Sequence, residues 1–435
     1  MGQPTQASVS QVSSWLQRVE RITRCRLCGN PRLERVIHLG DQVLASLFDD
    51  GTPENQLDTP VPLEAVRCQP SPDGNACGLL QLTHTVPPDV LYRDYGYRSG
   101  INTTMRTHLR SLIHDIEARV PLKAGDLVLD IGANDGTALL AYATPGLVRA
   151  GFEPSNIRPE QGSGLIYLNT TFQAKGFLER FPAQRARVVT SIAMFYDLND
   201  PAQFCRELGE ILSEDGLWVL EMSYLGAMLE HNTFDNICHE HLAYYSICAL
   251  QRLLTDTGFM IEDLTFNDAN GGSLRCYIRK RSARLPILDA QRRTRDAVLQ
   301  EELAKGYDRA QPYEAFRHRV EGIQRQLKDT LSQFRRAGKR VYGYGASTKG
   351  NVLLQYCQLG PEDLVAIADR NPHKVGRRTL GTRIPICSEE DMRQARPDYL
   401  LVLPWHFLDE FCERERALRS AGTQLVVAFP QVRIL

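Results

Sequence analysis

Residues 234–246 hold the densest chemistry in the sequence. Cys238, His239, Glu240 and His241 stand in a row, with Tyr244 and Tyr245 just beyond. Imidazole is the side chain whose proton affinity lies nearest neutral pH, and a carboxylate beside it orients the ring and raises its basicity. The row therefore reads as a general base with its helper. A zinc-protease motif needs two histidines at i and i+4 of a helix, whereas these stand at i and i+2. Read as about three helical turns, the stretch sends His239 and His241 about 200° apart around the axis, one toward a crevice and the other into packing. On the residues alone either histidine could be the base.

Four cysteines offer a different chemistry. Cys25 and Cys28 share one tight turn, and Cys68 and Cys77 follow with a polar insert between them that reads as a solvent loop. Four thiolates close a tetrahedral zinc site with no position left for water, so the ion would hold the fold and take no part in a reaction. His38 and His84 rank below the cysteines as ligands. Further on, the run YRDYGYRSG at residues 92–100 sets Tyr95 and Tyr97 beside Arg98 and Ser99, phenols and a cation suited to an oxygen-rich ligand.

An apolar run at residues 127–136, LVLDIGANDG, breaks into Asp130, Gly132, Asn134 and Gly136. That is how a doubly wound sheet delivers its first strand to a ligand crevice. A dinucleotide fingerprint wants G-x-G-x-x-G, but Asn134 stands at its second glycine and Gly136 falls one position early for its third. Glu153 closes the next strand about 20 residues on, where an acid accepts from ribose hydroxyls. This pair of motifs resembles the cofactor site of class I S-adenosylmethionine-dependent methyltransferases, whose cofactor carries a ribose and no phosphate. Tyr196 falls at the end of the fourth strand, on the same ligand edge. Asn270 opens the turn NGGS before a late edge strand, where the glycines suit either substrate approach or a hairpin. A second glycine turn, GYGASTKGN at residues 343–351, opens a helix whose terminal amides suit an anion, with Lys349 adding a point charge.

The elements that must hold these groups alternate as in a parallel sheet with helices on both faces: a helix over 102–120, the central strand opening the 127–136 run, strands at 148–154, 188–194 and 216–221, and a helix over 201–212. Residues 285–338 are charged and helical in rhythm, and they separate a second α/β unit from the first. The expected fold is α/β: a class I methyltransferase sheet over 101–285, a small zinc- and substrate-binding domain over 1–100, and a C-terminal Rossmann-like domain over 286–435. The 435 residues are 43% hydrophobic and carry a net charge of −1, so no global field would draw in nucleic acid. No apolar run is long enough for a membrane and the start lacks a signal region. Eleven cysteines then read as reduced thiols or metal ligands. A soluble cytoplasmic protein, a monomer or weak oligomer, is expected.

The assembled order of these motifs resembles the three-domain sugar C-methyltransferases of deoxysugar and antibiotic biosynthesis. The resemblance implies structural zinc, S-adenosylmethionine, and methylation of a nucleotide-linked 4-keto-6-deoxyhexose next to its keto group, typically at carbon 3. It further implies His241 as the base, Glu240 beside it, and Tyr97 or Tyr95 as donor to the oxygen on which charge builds. Some members carry Tyr where this chain has Cys238. Rival readings are a methyltransferase acting on another keto compound or on RNA or protein, a nicotinamide-dependent oxidoreductase, and a non-catalytic nucleotide-sugar binder.

Overall fold

The computed structural model describes residues 15–49, 58–70, 76–92, 96–283 and 285–435. Its centre is a seven-stranded sheet made of β1 (Leu127–Ile131), β2 (Val148–Phe152), β3 (Ile166–Leu168), β4 (Ala186–Ile192), β5 (Leu212–Ser223), β6 (Phe259–Asn267) and β7 (Ser273–Lys280). The order across the sheet is β6-β7-β5-β4-β1-β2-β3, parallel except that β7 runs against β5 and β6. All five residues of β1 are buried, as in a parallel sheet covered on both faces. The sequence sets the covering helices locally. Asn102 caps Thr103–Arg119 by accepting from the Thr104 amide, and Asp200 caps Pro201–Ile211, whose first residue is the proline favoured there.

Ahead of this sheet lies a small antiparallel one, with Leu33–Gln42, Val61–Cys68 and Leu80–Leu82 as neighbours. Its fourth strand, Ala243–Tyr244, arrives from the far end of the central unit and pairs with Leu80 and Gln81. The row containing Glu240 is thereby stitched to the N-terminal sheet. Residues 234–246 are not the helix expected from their polarity. Phe234–Asn236 makes a single 3-10 turn, the His241 amide closes a tight turn onto the Cys238 carbonyl, and the chain then runs extended.

The C-terminal unit begins with two helices, Asp289–Lys305 and Gln311–Arg336. The first stops at Gly306, whose φ of +73° is left-handed. The second buries Tyr313, Phe316, Val320, Ile323, Leu327, Leu331 and Phe334, a three-to-four-residue spacing that makes one apolar stripe. A six-stranded sheet follows, ordered Ile386–Ser388, Ile367–Asp369, Val341–Tyr344, Tyr399–Val402, Gln424–Val427 and Arg433–Ile434, with only the last antiparallel. One continuous core joins this unit, the N-terminal sheet and the segment that includes Leu225, Phe234 and Leu242. No helix among the described residues is long and apolar enough to cross a membrane.

Candidate active site

Each α/β sheet reverses its strand order at one point, and such switch points are where these folds bind ligands. Both open into a single cleft of about 1000 Å³. On one side stand Asp130, Gly132 and Asn134 after β1 and Tyr196 and Asp197 after β4, and on the other Gly345, Ser347 and Lys349.

The first glycine turn is built to approach a ligand. Gly132 has a φ of +81° and Asn134 one of +50°, and asparagine tolerates the left-handed region better than most side chains. The Asn134 amide donates to Glu153 Oε2 at 2.7 Å and the Ser155 amide to Oε1 at 2.9 Å. The Glu153 carboxylate is thus fixed at the cleft wall, and each oxygen keeps a lone pair for another donor. Gly136 does not line the cleft. Its φ is +81° and an added Cβ would stand 2.5 Å from Leu165 Cδ1, so it shapes the turn from behind. Asp130 accepts from the Thr190 hydroxyl at 2.6 Å, and burial pushes its carboxyl up to about 7.

The tyrosine-rich loop folds over this turn. Asn134 Nδ2 donates to the Tyr97 carbonyl at 3.0 Å, the Ser99 amide to Asn134 Oδ1 at 3.0 Å, and the Gly100 amide to Asp135 at 2.8 Å. Tyr97, Arg98 and Ser99 line the cleft. Tyr95 lies outside the described residues.

The two histidines part company here. His239 Nε2 meets the Val61 carbonyl at 3.1 Å, buried in the seam with the N-terminal sheet and away from the cleft, so the catalytic role expected of it gives way to a structural one. His241 lines the cleft. Its Nδ1 donates to the Asn236 carbonyl at 2.8 Å, which places the proton on Nδ1 and leaves Nε2 an acceptor. Burial, with the Lys349 ammonium nearby, pushes the imidazole down to about 3. We therefore expect the His241 ring resonances to stay those of neutral imidazole between pH 8 and 5, and a titration near 6.5 would refute that environment. The Tyr196 ring flanks the imidazole with centroids 4.3 Å apart.

Glu240 is buried at the cleft wall, its Oε1 has no hydrogen-bond partner among the described residues, and burial pushes the carboxyl up to about 7. Asp197 was not singled out from sequence, yet it too lines the cleft, its Oδ1 is buried with no hydrogen-bond partner among the described residues, and its carboxyl is raised well above the usual range by burial and by Glu240. Its place next to Tyr196 at the end of the fourth strand was the available signal.

Lys349 reaches from the C-terminal glycine turn toward the central unit, near the Asp235 carboxylate. Its Nζ donates to the Asn270 carbonyl at 2.9 Å, across to the central unit, while both residues line the cleft. Asn270 sits left-handed at a φ of +54°, which turns that carbonyl outward. The first amide of the turn, Ala346, is taken by Asp369 at 2.8 Å.

The metal centre is separate. Sγ atoms of Cys25, Cys28, Cys68 and Cys77 all lie within 4.8 Å of one another, with Cys25–Cys77 and Cys28–Cys68 at 3.5 Å. A Zn–S bond of about 2.3 Å puts tetrahedral thiolates about 3.8 Å apart, so the cluster fits zinc. Gln81 and Asn30 donate side-chain N–H groups to Cys25 and Cys68 at 3.2 and 3.3 Å, as sulfur bearing negative charge requires. His38 and His84 are not part of the cluster.

Three family models match parts of the chain. A putative zinc-binding domain matches residues 25–92, a methyltransferase domain matches 101–264, and a C-methyltransferase C-terminal domain matches 268–430. A curated relative, C-methyltransferase NovU of Streptomyces niveus, is 29% identical over 423 residues, covering 96% of this chain and 98% of that protein. Among solved structures, magnesium protoporphyrin IX methyltransferase from Synechocystis PCC 6803 with bound S-adenosylhomocysteine is 14% identical, covering 41% of this chain and 88% of that one at a TM-score of 0.31. A methyltransferase bound to the Trm112 activator of Haloferax volcanii gives 17% identity, 41% and 94% coverage and a TM-score of 0.32.

Proposed function

We propose that this chain, which matches zinc-binding, methyltransferase and C-methyltransferase C-terminal domain models and is 29% identical to a C-methyltransferase, uses S-adenosylmethionine to methylate a nucleotide-linked 4-keto-6-deoxyhexose at the carbon next to the keto group, carbon 3. The observation that supports this most is His241, neutral, with Nε2 free to accept and set in the wall of the cleft that contains the cofactor turn. A keto group acidifies the neighbouring C–H, and a held imidazole can take that proton. His241 Nε2 receives it. Charge then builds on the keto oxygen, where a phenol donor such as Tyr97 lowers the barrier. Asp130, Gly132, Asn134 and Glu153 would hold S-adenosylmethionine, which would supply the electrophilic methyl group. Arg98, Ser99, Tyr196, Asn270 and Lys349 would hold the nucleotide sugar, and alignment of carbon and methyl is the larger part of the catalysis.

Glu153 carries the cofactor half of this reading. Because it also fixes the Asn134 and Ser155 amides, Glu153→Ala should weaken S-adenosylmethionine binding by about tenfold or more, the effect of losing hydrogen bonds to a charged group. Isothermal titration checks this, and unchanged affinity would remove Glu153 from the site. The function itself is tested by mass spectrometry on S-adenosylmethionine with a panel of nucleotide-linked 4-keto-6-deoxysugars. The expected product gains one methyl on the sugar, and without methyl donor the neighbouring carbon exchanges its proton for solvent deuterium. Absence of both the methyl gain and the exchange across the panel would overturn the sugar assignment.

A further inference from the structure

The His241 tautomer depends on one carbonyl. Nδ1 donates to Asn236 O at 2.8 Å, and Asn236 closes the 3-10 turn Phe234–Asn236. That turn is held chiefly from the C-terminal unit. The Trp405 indole Nε1 donates to Asp235 Oδ2 at 3.1 Å. The Phe234 ring packs against Tyr356 at 5.0 Å and Phe429 at 5.3 Å between centroids. Asn232 Nδ2 donates to the Pro430 carbonyl at 2.9 Å.

Trp405 is itself wedged against the central unit. A Cβ on Gly271 would stand 2.5 Å from its ring, so that position admits only glycine. Beside it, Lys349 holds the Asn270 carbonyl of the same turn. The indole cannot move without disturbing either the Gly271 turn or the turn under the base. Asp235 is 1% exposed and its other oxygen, Oδ1, has no partner among the described residues. A buried carboxyl costs stability, here offset by the Trp405 indole N–H, by the backbone amides of the turn and by the Lys349 ammonium nearby.

We propose that Asp235 and Trp405 are positioning residues for His241: the indole holds the carboxyl, the carboxyl holds the Phe234–Asn236 turn, and the turn's last carbonyl holds the imidazole proton on Nδ1, so the base is aimed only while the C-terminal unit is docked. The C-terminal unit is then part of the base's machinery as well as a wall of the cleft. This rests on His241 being the base of the proposed reaction, although the tautomer itself can be read without substrate.

The test uses the full chain with its zinc, comparing wild type, Trp405→Phe, Asp235→Leu and Asp235→Asn. Nitrogen-15 ring shifts of His241 should show the Nδ1–H tautomer in the wild type and in Asp235→Asn, which keeps an oxygen for the indole N–H. Trp405→Phe, which keeps a ring against Gly271, and Asp235→Leu should show mixed tautomers. With substrate, those two should lose about tenfold to a hundredfold in kcat with KM within threefold, and Asp235→Asn should recover most of it. An unmixed Nδ1–H tautomer in both would overturn the proposal. Should either variant not fold, native-state hydrogen exchange of the wild type decides: the Trp405 indole N–H and the His241 Nδ1–H should open with the same free energy, and independent opening overturns the link. Absence of wild-type turnover on the sugar panel would instead sink the substrate assignment and leave the tautomer result intact.

Discussion

His241→Ala should abolish proton exchange and methyl transfer together, by about 10² to 10⁴ in kcat, the usual contribution of a positioned general base. S-adenosylmethionine binding should be unchanged, because the cofactor turn is fixed by Glu153 and not by the imidazole. His239→Ala supplies the control. Its ring bonds to the Val61 carbonyl, outside the cleft, so it should lower stability and leave turnover per folded molecule within a fewfold of wild type. The pair of variants also separates the base from its neighbour. Glu240 has a buried, unpartnered oxygen at the same wall and a carboxyl pushed up to about 7, which makes it a competent proton acceptor in its own right. If deuterium exchange survives His241→Ala within tenfold and disappears in Glu240→Gln, the base is Glu240 and His241 only orients it.

The pH dependence follows from the same environment. A free imidazole would lose its basicity near 6.5, whereas His241 is held down to about 3 by burial and by Lys349. The sign is that of a group whose charged form is disfavoured in the fold, so between about pH 6.5 and 3 the native ring stays unprotonated while the unfolded one takes up a proton. This ring's contribution to stability is therefore present above 6.5 and declines as pH falls through that window.

What could be read from sequence was chemistry tied to short, local patterns. The Asp130 to Gly136 turn and the acid at Glu153 need only one strand–turn–helix and the next strand, and both are dictated by neighbours in the chain. The two cysteine pairs are similar, since each lies on its own turn and the sheet has only to bring the turns together. Residues 234–246 misled because polarity was taken for helical periodicity, although β-branched and aromatic neighbours and the tight turn closing on the Cys238 carbonyl favour an extended path. In extended backbone residues two apart share a face, so it is the tight turn closing on the Cys238 carbonyl that sends His239 to the Val61 carbonyl and His241 to the cleft. Lys349 shows the other limit. Its helix terminus was legible, but its partner, the Asn270 carbonyl, is 79 residues away, and no local pattern encodes a contact so distant in the chain. Asp235 and Trp405, 170 residues apart, were invisible for the same reason.

Cys25→Ser should release zinc and lower the melting point by about 10 °C or more, as expected when much of the binding free energy of a structural zinc, about 10 kcal/mol or more, is withdrawn from a small unit. A serine hydroxyl is a far poorer zinc ligand than thiolate, and it would give the Gln81 amide, which now donates to the Cys25 sulfur at 3.2 Å, a neutral acceptor in place of a charged one. The loss should not stay local. Gln81 lies on the strand that pairs with Ala243–Tyr244, and Val61, on the neighbouring strand, holds His239, so the floor beneath residues 238–244 is the sheet that the zinc cross-links. Methyl transfer should therefore fall with zinc content, while S-adenosylmethionine affinity, which we propose depends on β1, β2 and Glu153, should persist until the central sheet itself unfolds. Metal analysis, calorimetry and cofactor titration on one preparation distinguish these effects. Full zinc content with an unchanged melting point would remove Cys25 from the ligand set, and parallel loss of cofactor binding would mean that the zinc supports the whole molecule and not the base segment in particular.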